Sequence, residues 1–336
     1  MKAVLVTGAG GYIGSVLTRM LLEEGRTVIA VDRFFFGRTL PAHERLRVVA
    51  ADVRRLDADH LEGVEAVIDL AALSNDPAGE LDPELTWQVN HRARVRLARL
   101  ARAAGVRRYV FPSSCSIYGF QDGLLDETSP PNPLTTYAKA NLQAERDILP
   151  LTSDRFCVTV LRQATVYGLS TRMRFDLAIN GMVRGLYLNG TIPVLRDGTQ
   201  WRPFVHVRDT SRAMLLMLEV PAERINGQIF NVGADEQNCQ ILPLARGLAE
   251  ALGLPFHSEW YGLPDHRSYR VSFRKIRKVL GYQPVYCPAD GAREVYEALR
   301  SGQVDPHDPR TITVDWYKHL AKRGAFLERL EGWVSA

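Results

Sequence analysis

A glycine-rich turn near the start of the chain has the composition of a phosphate-binding site. Gly8, Gly11 and Gly14 follow an apolar run, Ala3–Thr7, and open a helical stretch, Tyr12–Glu24. Glycines at this spacing allow a tight turn, close approach of the backbone to a pyrophosphate and close packing of helix on strand. The amide groups and the positive end of the helix would bind the phosphates. The pattern therefore predicts a dinucleotide-binding turn.

An acidic residue after the second apolar run, Thr27–Val31, indicates which dinucleotide binds. A carboxylate in this place binds the adenosine ribose hydroxyls and disfavours a 2′-phosphate. Asp32 therefore favours NAD(H) over NADP(H), although Arg33 stands beside it. Asp52 and Val53 follow the third run, where we expect them to face the adenine ring.

These residues need a parallel sheet to bring them together. Apolar runs alternate with longer helical patterns, which is typical of a sheet covered on both faces. Right-handed crossovers then give an α/β fold with a doubly wound parallel sheet of the Rossmann type. The predicted strands are Ala3–Thr7, Thr27–Val31, Leu46–Ala50, Ala66–Leu70, Arg108–Pro112 and Cys157–Leu161, and the predicted helices are Tyr12–Glu24, Pro83–Ala104 and Thr135–Leu149.

The second half of the chain is less regular and richer in Gly, Pro and Asn. Short helices are predicted near Thr210–Leu218 and Leu242–Leu252. We expect residues 1–165 to form the NAD-binding domain and residues 166–336 to form mainly a smaller substrate-binding lobe, with segments near 204–232 crossing back to the first domain.

Composition excludes several classes of protein. The 336 residues carry a net charge of +4, from 42 basic and 38 acidic residues, and no dense Lys/Arg run, so nucleic acid is not an expected partner. No apolar stretch of about 18 residues predicts a membrane span. The N-terminus leads directly into a strand without the pattern of a signal peptide, which favours a cytoplasmic location. The four widely spaced cysteines predict free thiols and no metal site.

Motifs further along the chain resemble those of the extended short-chain dehydrogenase/reductases, and within them the nucleotide-sugar epimerases and dehydratases. The resemblance runs from Met1 to about Pro284, with the 4-epimerases as the nearest kind. It is carried by Ser113–Gly119, similar to the family's serine strand end, Tyr137–Asn141 in the place of Tyr-x-x-x-Lys, Arg162–Gly168, Asp197–Asp209, Asn231–Gly233 and Arg267–Arg270.

The resemblance implies a role for each matching residue. Ser114 would hydrogen-bond the reacting sugar oxygen, and Tyr137 would be the acid/base that takes the hydroxyl proton during hydride transfer. Arg202 would bind the substrate diphosphate, for which a guanidinium is well shaped, with Arg267 assisting. The family also implies a homodimer, formed through the helices Pro83–Ala104 and Thr135–Leu149.

The implied site consists of three sets of residues around a nucleotide-diphosphate sugar and NAD. The cofactor-binding set is Gly8, Gly11, Tyr12, Ile13, Gly14, Asp32, Arg33, Asp52, Val53, Leu70, Ala71, Ala72, Tyr137, Asn141 and Gln163. The substrate-binding set is Ser74, Asn75, Asp76, Ser116, Thr165, Asn180, Arg202 and Arg267. The catalytic residues are Ser114, Tyr137 and Ser116.

The identity of residue 116 bears on the reaction. Family members that eliminate water carry an acidic residue at this position, and members that abstract a proton beside a carbonyl tend to carry cysteine there. Ser116 is neither, and Cys115 is one place off, on the other side of an extended segment. Reversible hydride transfer at one carbon remains, which predicts a 4-epimerase. The alternatives are a 4,6-dehydratase or keto-sugar reductase that takes its acid from elsewhere, such as Asp76, and an NAD-binding regulator without catalysis.

One residue departs from the family pattern. The lysine expected four residues after Tyr137 is Asn141. A lysine there would bind the nicotinamide ribose and favour the tyrosine phenolate, whereas asparagine brings no charge. Lys139 points about 200° away around the helix. Three explanations of Asn141 remain: the chain is a natural variant that uses another base, it is a natural non-catalyst, or the asparagine is a deliberate substitution. Asn141→Lys is predicted to raise turnover.

Overall fold

Parallel strands form the centre of the protein. A computed structural model describes residues 2–263 and 267–322. Its strands are β1 Ala3–Thr7, β2 Thr27–Asp32, β3 Leu46–Ala50, β4 Val64–Asp69, β5 Arg108–Ser114, β6 Phe120–Leu125, β7 Cys157–Gln163, β8 Thr165–Tyr167, β9 Ile192–Leu195, β10 Trp201–His206, β11 Gln228–Val232, β12 Asn238–Gln240, β13 Ser258–Tyr261 and β14 Ser268–Val271.

Helices of very different lengths connect these strands. The α-helices are α1 Tyr12–Glu23, α2 Asp76–Gly79, α3 Pro83–Trp87, α4 Arg94–Ala103, α5 Thr136–Ile148, α6 Ala178–Asn189, α7 Val207–Glu219, α8 Ala222–Ile225, α9 Ile241–Ala251, α10 Arg274–Leu280, α11 Pro288–Arg300 and α12 Thr313–Lys322. A π-helical turn, Gln88–Ala93, joins α3 to α4. Short 3-10 turns occupy Val53–Arg55, Asp59–Leu61, Cys115–Tyr118, Leu149–Leu151, Asp235–Gln237 and Pro309–Thr311.

Seven of the strands form one sheet, in the order β3-β2-β1-β4-β5-β7-β11, and each pairing within it is parallel. Apolar side chains cover both faces, with α1 and α7 on one and α4 and α5 on the other. The predicted doubly wound parallel sheet is therefore confirmed. Its strand order reverses direction between β1 and β4, and in such sheets ligands bind outside the carboxyl ends of the strands at this point.

Small sheets and further helices form the rest of the described structure. Strands β8, β10 and β12 make a three-stranded sheet, while β9 pairs with β13 and β6 with β14. Helices α6, α9 and α11 share a separate apolar core with β9 and β10. Within the predicted crossing segment near 204–232, only β11 joins the large sheet. The predicted substrate lobe, 166–336, includes residues 264–266 and 323–336, which lie outside the described residues.

Two of the predicted helical stretches differ in detail from the structure. The stretch predicted near Pro83–Ala104 contains the π-helical turn. Thr135, at the start of the stretch predicted near Thr135–Leu149, is the N-cap of α5, because its Oγ1 accepts a hydrogen bond from the Ala138 amide at 3.2 Å. Among the described residues, no helix has the length and apolar character needed to cross a bilayer.

Candidate active site

A cavity of about 830 Å³ lies at the point where the strand order reverses, between the large sheet and the second half of the chain. Its walls contain all the residues that the sequence assigns to the site except Asn141 and Asn180. The glycine turn, the ends of β2, β4 and β5 and the start of α5 form one side. Residues between β8 and β14 form the other, so the cavity can hold a cofactor and a substrate together.

The glycine turn packs so closely against its neighbours that a side chain cannot be accommodated at two of its positions. Gly8 has a φ of +66°, and a Cβ at this position would lie 2.8 Å from the Ala71 amide nitrogen. A Cβ on Gly14 would lie 2.1 Å from the Gly8 carbonyl oxygen. Gly11, at the N-cap of α1, offers no side-chain acceptor to the first amide groups of the helix. The turn therefore fits the pyrophosphate of a dinucleotide.

Asp32, at the end of β2, is held in place by backbone amides. Its carboxylate accepts hydrogen bonds from the Gly10 amide at 3.0 Å and the Phe34 amide at 2.6 Å, and burial raises its pKa. The neighbouring Arg33 donates to the Asp52 carboxylate at 2.8 Å. The Arg33 guanidinium is therefore ion-paired in this structure, and the preference of Asp32 for an unphosphorylated ribose stays a prediction.

Asp32→Ala should lower the ratio of the affinity for NAD to the affinity for NADP by about tenfold or more, which corresponds to about 1.4 kcal/mol. The reason is that the carboxylate that repels a 2′-phosphate is lost. Calorimetry with both cofactors measures the ratio. Glu44→Ala, which removes an exposed carboxylate from the loop before β3, is the control and should leave the ratio unchanged. Tighter binding of NADP than of NAD by the unaltered protein would contradict the assignment.

The predicted catalytic side chains come together where β5 ends and α5 begins. Ser114 Oγ accepts a hydrogen bond from the Ser116 amide at 3.1 Å. Burial raises the pKa of Tyr137, while the charge of Arg94 and a hydrogen bond with Ser114 act in the opposite direction. The buried Ser116 Oγ has no hydrogen-bond partner within the described structure, although it lies at the cavity wall. An unpaired buried hydroxyl at this place fits a polar ligand.

Three charged residues predicted to serve the substrate lie on one wall. Asp76 accepts a hydrogen bond from Thr135 Oγ1 at 2.5 Å and forms an ion pair with Arg267. Arg202 donates to the backbone carbonyl oxygens of Trp201, at 2.8 Å, and of Arg267. The two arginines are thus neighbours, as a shared diphosphate ligand requires.

The sequence analysis missed two arginines in the segment before α6. Arg174 donates to the Asp176 carboxylate at 2.9 and 2.8 Å and to Ser74 Oγ at 3.2 Å. Arg172 donates to Thr313 Oγ1 at 3.0 Å, and its Nε and Nη1 are buried without a partner among the described residues. Its guanidinium lies 3.7 Å from the centre of the Phe36 ring. The Arg-x-Arg spacing in an irregular segment was the available signal for an anion site.

Asn180, which the sequence assigns to substrate binding, lies outside the cavity wall. It is fully buried, and its Oδ1 accepts from the Gly168 amide at 2.9 Å. Its Nδ2 donates to the Tyr12 hydroxyl at 3.1 Å and the Arg174 carbonyl oxygen at 3.0 Å. Both polar atoms of its side chain therefore form hydrogen bonds with neighbouring segments behind the cavity wall. Asn141 is likewise buried outside the wall, with partners of its own.

No metal site accompanies these residues: residues 2–263 and 267–322 contain no group of three or more His, Cys, Asp or Glu side chains that could hold an ion. The four cysteines are free thiols. Cys115 is buried beside the catalytic residues, and its Sγ donates to the Arg162 carbonyl oxygen at 3.3 Å. Burial raises the pKa of this thiol well above its ordinary value, so it serves as a packed small residue.

Comparison with known proteins identifies the family of the chain. Residues 4–233 match the NAD dependent epimerase/dehydratase family. The chain belongs to that family. A UDP-glucose 4-epimerase of Mycolicibacterium smegmatis is 31% identical over 319 residues, which cover 88% of this chain and 98% of that protein. The family assignment confirms the resemblance found in the sequence, and it makes the chain an NAD-dependent enzyme that modifies nucleotide sugars.

Solved structures of family members show the same fold. MoeE5 has been solved with NAD and UDP-glucuronic acid, and also with NAD and UDP-glucose. This chain superposes on the first of these structures with a TM-score of 0.80 and 33% identity, covering 89% of this chain and 99% of that one. DesIV of Streptomyces venezuelae, a dTDP-glucose 4,6-dehydratase with NAD bound, gives a TM-score of 0.77 at 28% identity over 90% of this chain and 99% of that one. NAD is therefore the cofactor, as predicted.

Proposed function

We propose that this family member is a 4-epimerase of UDP-sugars. The observation that carries the proposal is the pairing of Ser114 and Tyr137 at a cavity with the features of an NAD site, together with serine, and no acid, at position 116. The relatives support UDP as the nucleotide, since one is named a UDP-glucose 4-epimerase and MoeE5 binds UDP-glucose and UDP-glucuronic acid.

The side chains supply position and proton transfer. Bound NAD would accept hydride from the sugar C4 and return it. Tyr137 takes the proton of the 4-hydroxyl group, and Ser114 holds the same oxygen. The 4-keto sugar would turn its other face to the cofactor, and Tyr137 would give the proton back to the oxygen at C4. Arg202 and Arg267 hold the diphosphate while the sugar turns. No atoms are gained or lost, so the product is the C4 epimer.

Elimination of water would need a further base beside the keto group. Ser116 lacks the charge and the pKa for that step. Asp76, the other acid considered, is ion-paired with Arg267 and hydrogen-bonded by Thr135. These partners tie the carboxylate to the cavity wall and favour the epimerase over the dehydratase.

Incubation with UDP-glucose and with UDP-glucuronic acid should give C4 epimers without loss of mass. Product analysis by NMR and mass spectrometry measures both results, with Tyr137→Phe as the inactive control. A product lighter by one water would refute the epimerase assignment and point to Asp76 as the acid. Binding of both compounds without conversion would support the regulator alternative.

We also propose a homodimer in the cytoplasm. Helices α4 and α5 pack side by side, and His91, Val95, Arg99 and Asp147 line a shallow groove on their outer surface. Two copies of this face can meet about a two-fold axis, the commonest symmetry of oligomers. Light scattering at micromolar concentration should give twice the 37.7 kDa chain mass; a value equal to one chain would contradict the dimer.

A further inference from the structure

Asn141 lies at the lysine position of the family pattern, one helical turn after Tyr137 on the same face of α5. Its Nδ2 donates to the Tyr137 carbonyl oxygen at 3.0 Å, and the residue is only 1% exposed. Asparagine brings no charge, so it cannot favour the phenolate as a lysine would. A tyrosine that takes protons near neutral pH needs that charge from another residue.

Arg94, the first residue of α4, contacts Asn141 from the neighbouring helix. Its Nη1 donates to Asn141 Oδ1 at 2.8 Å, and its Nε donates to the Ala71 carbonyl oxygen at 3.0 Å. Ala71 and Tyr137 both line the cavity, whereas Arg94 is 2% exposed and lies behind its wall. The guanidinium therefore lies between the cofactor-facing end of β4 and the helix that carries Tyr137.

The segment before Arg94 fixes the direction in which the Arg94 side chain points. The π-helical turn Gln88–Ala93 directly precedes it, and such turns change the rotation of the residues that follow. Asn90, within the turn, accepts from the Leu73 amide at 2.8 Å and donates to the Leu73 carbonyl oxygen at 3.0 Å. This double hydrogen bond ties the turn to the segment after β4, beside the cavity.

We propose that Arg94 supplies the positive charge that the family's lysine would place beside Tyr137, and that Asn141 holds the guanidinium in position. Arg94 is a positioning residue, because it lines no part of the cavity. The proposal depends on the proposed function only in giving Tyr137 the role of the base.

The charges around Tyr137 come from several elements. Burial raises its pKa, and Arg94 makes the largest opposing contribution. Asp76 of α2 raises the pKa further, while Ser114 at the end of β5 and Arg174 before α6 lower it. Loss of Arg94 would therefore leave a phenol that is harder to ionise.

A buried carboxylate beside Arg94 does not cancel this effect. Asp69 Oδ2 lies 3.9 Å from Arg94 Nε. The Asp69 oxygens also accept short hydrogen bonds, from Thr7 Oγ1 at 2.5 Å and from the Tyr109 hydroxyl at 2.6 Å. These donors stabilise the Asp69 carboxylate, which therefore does not depend on Arg94 alone, while the Nη1 side of the guanidinium faces Asn141.

Direct titration of Tyr137 tests the proposal without any sugar. The ultraviolet difference spectrum between each variant and the same variant carrying Tyr137→Phe isolates this phenol as pH rises. Arg94→Gln should raise its pKa by about one unit or more, and Arg94→Gln with Asn141→Lys should bring it back. Arg102→Gln, which removes an exposed arginine from the same helix, should change nothing. An unchanged pKa in folded Arg94→Gln would overturn the proposal.

A second variant keeps the test decisive if Arg94→Gln does not fold. Asn141→Asp sets a carboxylate against the intact Arg94 and should also raise the pKa of Tyr137; no rise would count against the proposal. In single-turnover reduction of bound NAD by UDP-glucose, the pH profile should move to higher pH by the same amount. Each unit by which the pKa of Tyr137 rises should lower the rate at neutral pH about tenfold. If no sugar nucleotide reacts, the proposed function fails while the titration still decides the role of Arg94.

Discussion

Tyr137→Phe should lower the rate of C4 epimerisation by about 10²–10⁴-fold, the range by which a positioned acid/base accelerates a reaction. Phenylalanine fills the same space at the start of α5 but cannot take the proton of the 4-hydroxyl group. Because Tyr137 is only one of many residues that line the cavity, the affinity for NAD should change by no more than a few-fold.

Single-turnover reduction of NAD measures the chemical step, and calorimetry measures cofactor binding. Tyr187→Phe removes the same hydroxyl from an exposed tyrosine of α6 and serves as the control, with an unchanged rate. If Tyr137→Phe kept more than a tenth of the rate, another group would be the base and the assignment of Tyr137 would be wrong.

Asn141→Lys alone should lower both stability and rate, which reverses the prediction made from the sequence. The sequence shows a missing positive charge, and restoring it should raise turnover. The structure shows that Arg94 Nη1 lies 2.8 Å from Asn141 Oδ1, so a lysine would meet a guanidinium in a buried place and would displace it from the position in which Asn141 holds it. Two like charges about 4–8 Å apart repel by roughly 2–4 kcal/mol at an effective dielectric constant of 20.

Thermal and denaturant unfolding measure the loss of stability, and single-turnover kinetics measure the loss of rate. Gln143→Lys places the same lysine on α5, where Gln143 and Asp147 form a hydrogen bond, and should have little effect. A stable Asn141→Lys protein that turns over faster would show that Arg94 does not supply the charge, and the prediction from the sequence would hold.

The parts of the site that the sequence predicted are those fixed by local patterns at strand ends. The turn at Gly8 and Gly14 follows from spacing and from the strand and helix beside it, and Asp32 follows from its place at the end of β2. Ser114 and Tyr137 were found through the family motifs. In a parallel sheet, the carboxyl ends of neighbouring strands meet at one edge, so residues far apart in the sequence could be placed together.

The parts that sequence analysis missed depend on contacts between distant segments. Arg94 lies in a helix whose pattern predicts packing, and only the fold shows that its guanidinium reaches Asn141, 47 positions later. Asn180 is a polar residue of a type that suits a ligand contact, yet its side-chain amide forms hydrogen bonds with three protein groups. Arg172 belongs to an irregular segment, and its contact with Thr313 joins residues 141 positions apart.

The most direct test of the central claim uses UDP-glucose deuterated at C4 and follows the label by NMR. Reversible oxidation at C4 predicts the C4 epimer with deuterium retained at C4, because hydride leaves and returns without mixing with solvent. In heavy water, with unlabelled substrate, no solvent deuterium should enter C3 or C5. Loss of the C4 label to solvent, deuterium at C5 or the release of water would contradict the account.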